Sequence, residues 1–150
     1  MMMNHFIIDG NNLIGKIHSL KNSSDKQFTR QKLALMLERY FDKKKVKVSL
    51  HFDGFENEPI RVSGMKIYYS QTRPADELIK KEIEKIKNQK TTYIVSSDLE
   101  IISYAKVCGC NVIKSEDFYT QMINHNNRKN EDEKPSDFNT NEFKKLFGIE

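Results

Sequence analysis

The chain carries only two cysteines in 150 residues, no long apolar run, and a net charge of just +4 from 25 basic and 21 acidic side chains. Each shortage excludes something. No stretch approaches the roughly 18 apolar residues of a membrane-spanning helix. Cys108 and Cys110 alone form no disulfide framework, and no paired histidines stand near them to complete a zinc site. They read as two small, apolar-like residues entering a buried strand in a reducing compartment. The first apolar segment begins by residue 5, which leaves no room for a secretory signal, so the expected location is the cytoplasm, with no membrane partner. The histidines, His5, His18, His51 and His125, are scattered and suggest no catalytic pairing. No internal repeat is present.

What the chain does have is five short apolar segments alternating with helical patterns. Strands are expected over 5–9, 46–52, 65–69, 91–96 and 110–113. Helices are expected over 12–17, 29–41, 75–87, 99–107 and 116–124. Alternation at this spacing predicts an α/β fold: a parallel sheet with right-handed crossovers and helices on both faces. Residues 1–124 form the expected domain, 125–138 a polar linker, and 139–150 a C-terminal helix that packs on the domain through Phe143, Leu146 and Phe147.

Four aspartates stand where apolar segments end. Asp9 closes His5-Phe6-Ile7-Ile8, Asp53 closes the segment ending in Phe52, and Asp98 follows Ser96-Ser97. Asp76 opens the helical pattern after Tyr68-Tyr69. Ligands of parallel sheets bind outside the carboxyl ends of the strands, so four distant carboxylates are expected to meet at one edge. Two such charges ~5 Å apart repel by about 3 kcal/mol at an effective dielectric of ~20. A hard divalent cation with oxygen ligands neutralises such a cluster. Taken singly, each aspartate is equally an Asx turn or a helix cap; the argument lies in their coincidence. Asn12, Thr72, Arg73, Ser96 and Ser97 adjoin the acids as candidate substrate-binding residues, and Lys114 follows the last strand. The lysines of 43–45 and Lys80, Lys81, Lys85 and Lys87 read as solvated faces.

At these residues the chain resembles the NYN domain family, in particular its YacP-like branch within the PIN-like nuclease superfamily. The matching stretches are Phe6 to Ile14, Phe52-Asp53-Gly54, Ala75 to Ile79, Ile94 to Asp98, and the ending Phe143 to Gly148. The resemblance implies a three-layer α/β/α PIN-like domain with a mainly parallel sheet of about five strands. It also implies a metal-dependent endoribonuclease using Mg²⁺ or Mn²⁺, acting on RNA, with the translation machinery as an associated partner. Carried over by position, Asp9, Asp53, Asp76 and Asp98 become the catalytic acids, with Asp9, Asp76 and Asp98 on the metal and Asn12 beside them. Asn11 departs from the pattern, standing where relatives commonly carry tyrosine. Two other readings stay open: a non-catalytic RNA-binding NYN module, and a phospho-acceptor receiver-type domain built on Asp53, Ser97 and Lys114. The receiver reading lacks the acid pair after the first strand, since Gly10 follows Asp9. Oligomeric state is not encoded in any of these features.

Overall fold

Five short apolar strands with a helix in most connections fold into the expected three layers. The computed structural model describes residues 3–133, with side chains to residue 128. In chain order the elements are β1 (Asn4–Asp9), α1 (Gly10–Ile14), α2 (Lys26–Phe41), β2 (Val46–Phe52), β3 (Lys66–Tyr69), α3 (Ala75–Lys85), β4 (Thr92–Val95), α4 (Leu99–Val107), β5 (Asn111–Ile113) and α5 (Ser115–Glu133). All strand pairs are parallel, in the order β3-β2-β1-β4-β5. The chain builds outward from β1 to β3, then returns to the other side of β1 as β4. That reversal is a topological switch point, where the carboxyl ends of β1 and β4 open into one crevice.

Side-chain alternation along β1 divides the interior into two cores. Phe6 and Ile8 face α2 and α5, in a cluster with Leu33, Leu37, Phe41 and Phe118. Ile7 faces α3 and α4, with Ile79, Ile83, Ile101 and Ala105. The same alternation sends Phe52 into the α2 core and turns His51 toward α3, as the sequence pattern predicts. Cys110 sits in the α3/α4 core and both cysteines are free thiols. Among the described residues, no helix is long and apolar enough to cross a membrane.

Several element ends shift from the sequence expectation, and three of the shifts have consequences. Helix α1 begins at Gly10, directly on the end of β1. Helix α2 begins three residues before the expected start because Asp25 caps it, its Oδ1 accepting from the Phe28 amide at 3.0 Å. Helix α5 continues to Glu133, so the first part of the segment expected as a linker is helical. Once Phe118 and Met122 anchor α5 in the core, each added turn needs only its own hydrogen bonds. His125 also packs edge-on against Tyr40 at 5.2 Å. The rest of the expected linker and the terminal helix over 139–150 lie outside the described residues.

Gly10 is required by close approach. A Cβ there would lie 2.7 Å from the His51 carbonyl oxygen and 2.7 Å from Cε1 of Phe52. The carbonyl belongs to a central strand and cannot move aside. Gly10→Ala is expected to lower stability by about 1–3 kcal/mol, read as a shifted urea midpoint. An unchanged midpoint would refute the close-approach account.

Candidate active site

Strand register brings the first two site residues together. Ile8 pairs with Val95, so Asp9 and Ser96, each one residue further on, are neighbours across the switch point. The Ser96 hydroxyl donates to Asp9 Oδ2 at 2.9 Å. Asp9 is 8% exposed and Ser96 fully buried. Burial pushes the Asp9 carboxyl up to about 6, against the hydrogen bonds from Ser96 and the Asn12 amide; the charges of Asp53 and Asp98 push the same way as burial. Asp9, Asp53 and Asp98, at the ends of β1, β2 and β4, therefore share one electrostatic neighbourhood.

The flanking acids are held by backbone amides. Asp53 Oδ1 accepts from the Ala75 amide at 2.7 Å, which ties the end of β2 to the start of α3. Its own amide donates to Asn11 Oδ1 at 2.9 Å, so the asparagine that departs from the family pattern braces the Asp53 turn. Asp98 caps α4, its Oδ1 accepting from the Glu100 amide at 2.9 Å. Asp76 lies in the first turn of α3, half-buried, directly after the residue that holds Asp53. It is not among the charges that raise Asp9.

Asn12 acts as a tie between loops. Its side-chain oxygen accepts from the Ser97 amide at 2.9 Å and from the Ser115 hydroxyl at 2.7 Å, joining the ends of β1, β4 and β5. The Ser97 hydroxyl donates to Glu116 and accepts from the Ser115 amide. Ser96 spends its hydroxyl inside the protein, on Asp9 and the Asp98 amide. Of the residues expected to meet substrate, Thr72 and Arg73 are the exposed ones. They sit in the loop between β3 and α3, and Arg73 makes only a loose pair with Glu77 at 3.9 Å.

Two participants were missed in the sequence. Glu116 reaches the same edge from the first turn of α5, and its carboxyl is held below the usual range by the Ser97 hydroxyl, with help from Lys16 and Lys114. It follows β5 by three residues, the same strand-end placement that marks the aspartates. Arg30 is a buried guanidinium that donates to the carbonyls of Asp53 and Phe55 at 2.5 and 3.0 Å and lies over the Phe52 and Tyr69 rings. It fixes the loop after β2, and no local pattern distinguishes it from any helix-surface arginine. The receiver-type arrangement does not form. Asp53 after β2 and Lys114 after β5 are separated by β1 and β4, three strand spacings or about 14 Å.

Among the described residues, no three His, Cys, Asp or Glu side chains stand close enough to form a metal cage. Mg²⁺ does not need one: it takes one or two carboxylates and completes its shell with water and substrate phosphate. An oxygen-only donor set around a carboxyl raised first by burial and further by the charges of Asp53 and Asp98 fits such an ion.

The comparisons agree with this architecture. The crystal structure of Rae1 (YacP) from Bacillus subtilis superposes with a TM-score of 0.70, at 18% identity, covering 86% of this chain and 79% of that one. A tryptophan-to-leucine mutant of the same protein gives 0.70 at 21% identity, covering 84% and 79%. No curated protein matches the chain. The YacP-like NYN domain model matches residues 6–146. On that match, which takes in all five strands and the acidic edge, the chain belongs to the YacP-like NYN domain family, a branch of the PIN-like nucleases.

Proposed function

We propose that the protein is a divalent-metal-dependent endoribonuclease that hydrolyses RNA phosphodiesters at the carboxyl edge of its sheet. The convergence of Asp9, Asp53 and Asp98 at the switch point carries this reading. Asp9, Asp76 and Asp98 are the residues proposed to hold Mg²⁺ or Mn²⁺, one or two of them contacting the ion directly and water completing its shell, and Asp53 completes the acidic centre. When bound, such an ion activates water and stabilises the leaving oxygen. The protein's own part is positional. Ser96 fixes the Asp9 carboxyl, the α3 amide fixes Asp53, and the Asn12 tie keeps the three loops in register. Thr72 and Arg73 face solvent beside the acids and supply donors for phosphate oxygens.

The test is digestion of mixed single-stranded RNA by the purified chain with Mg²⁺, Mn²⁺ or chelator. Internal cleavage with either ion, and none in chelator, is expected. A second reading, an RNA-binding module without catalysis, takes its support from the lack of a three-ligand metal cage among the described residues. It predicts a retained RNA complex and no product at any ion concentration.

A further inference from the structure

Beside the acidic edge, between β3 and α3, lies a cavity of about 500 Å³ whose lining joins aromatic and cationic side chains. This is the size range of small-ligand sites. The Ser70–Arg73 loop lines it, and α3 starts at Ala75, whose amide holds Asp53. One wall is the edge strand β3, where Tyr68 stacks on His51 at 4.8 Å and 11°. The other wall is α3, with Leu78 apolar and Lys81 and Lys85 exposed one turn apart. The floor is Glu82, held by His51 Nε2 at 2.7 Å and by the Ser49 hydroxyl at 2.6 Å. His51 is 3% exposed, lines the cavity, and its Nδ1 has no hydrogen-bond partner.

We propose that this groove seats the single-stranded RNA flanking the scissile phosphate. A base packs against Tyr68 and Leu78, while Arg73, Lys81 and Lys85 hold successive phosphates. The proposal rests on the ribonuclease reading for its substrate and extends it to a binding track. Three observations select RNA as the occupant. The cations exceed the one carboxylate of the floor, so the groove favours a polyanion. Its aromatic wall gives a stacking surface that a simple anion would not use. The loop that lines it leads into α3, whose first amide holds Asp53, so the groove lies beside the acidic centre. Lys81 and Lys85, which sequence alone assigns to a solvated face, become the phosphate contacts.

The experiment measures binding of a fluorescein-labelled single-stranded RNA oligonucleotide to the full chain in chelator, by anisotropy across a salt series. The Lys81→Ala/Lys85→Ala variant is expected to weaken binding about tenfold and to flatten the slope of log affinity against log salt by about 1.4, the value for two lost phosphate contacts on a single strand. Tyr68→Leu is expected to weaken binding several-fold with the slope unchanged, the mark of lost stacking. Lys43→Ala/Lys45→Ala, at the opposite end of the sheet, serves as the charge control. Equal losses in the lysine variant and the control would overturn the groove, as would competition by poly-glutamate as effective as that by unlabelled RNA. Because binding is read without metal, its outcome separates from that of cleavage. Groove-dependent binding by a wild-type chain that cuts nothing keeps the track and removes the nuclease; metal-dependent cleavage with unchanged KM in both groove variants does the reverse.

Discussion

Asp9→Asn is expected to abolish RNA cleavage, by about a thousandfold or more, and at the same time to make the metal-free protein more stable at neutral pH. The two effects have one cause. The Asp9 carboxyl is buried beside Asp53 and Asp98 and is raised from 3.8 to about 6. Between those values the folded chain holds a proton that the unfolded chain has released. This contribution to stability is complete below the unfolded value and is lost as pH rises through about 6. At neutral pH the ionised group therefore costs the fold about 3 kcal/mol, taking 1.36 kcal/mol per unit. Asparagine keeps an oxygen for the Ser96 hydroxyl and carries no charge. In chelator, the stability of the wild type relative to the variant should fall from pH 4 to pH 6, by urea denaturation of both chains. Added Mg²⁺ should raise the wild-type midpoint and leave the variant unmoved. A variant that still cuts RNA at the wild-type rate ends the assignment of Asp9; one less stable than wild type in chelator ends the electrostatic account.

The sheet was readable because each strand is a short apolar run ended by an acid, a glycine or a polar pair. Val46–Phe52 and Leu99–Val107 have the expected bounds. What escaped prediction depended on side chains acting outside their own segment. Asp25 extends α2 through a cap that reads as loop composition. Residues 125–133 look like linker, yet α5 carries its helix through them from an anchored apolar first half.

The site was legible to the extent that strand ends declare themselves. Asp9, Asp53 and Asp98 were visible as positions, and parallel topology gathers them. Roles were less legible than positions. Ser96 is adjacent to an acid in the sequence, but only register shows that its hydroxyl is committed to Asp9 across 87 residues. Asn12 looks like a ligand for Asp9 or phosphate, whereas its side-chain oxygen joins Ser97 to Ser115. The histidines were scattered along the chain, yet pairing of β1 with β2 places His5 and His51 on one face, two strand positions either side of Ser49 or directly bonded to it. That cluster, unforeseen, is a buried polar network beneath α3.

Its centre is Glu82, and removing that carboxylate should cost the fold about 3 kcal/mol. Burial opposes ionisation of Glu82, but hydrogen bonds from His5, His51 and Ser49 together outweigh it and hold the carboxyl well below its ordinary range. The side chains are 11% (His5), 3% (His51) and 18% (Glu82) exposed, so water does not replace the lost partner freely. In Glu82→Ala, His51 Nε2 and the Ser49 hydroxyl lose their acceptor, and His51 Nδ1 already has none. Glu82→Gln retains one carbonyl oxygen and should lose about half as much. The pH dependence runs opposite to that of Asp9. Because the folded value is depressed, the stability from Glu82 is fully present above 4.5 and drains as pH falls below it. Urea midpoints at neutral pH should therefore rank wild type, Glu82→Gln and Glu82→Ala in falling order, with the gap closing in acid. Midpoints that coincide at neutral pH would show that the two histidines and the serine are satisfied without the carboxylate, and the floor of the β3–α3 groove would then have to be held by packing alone.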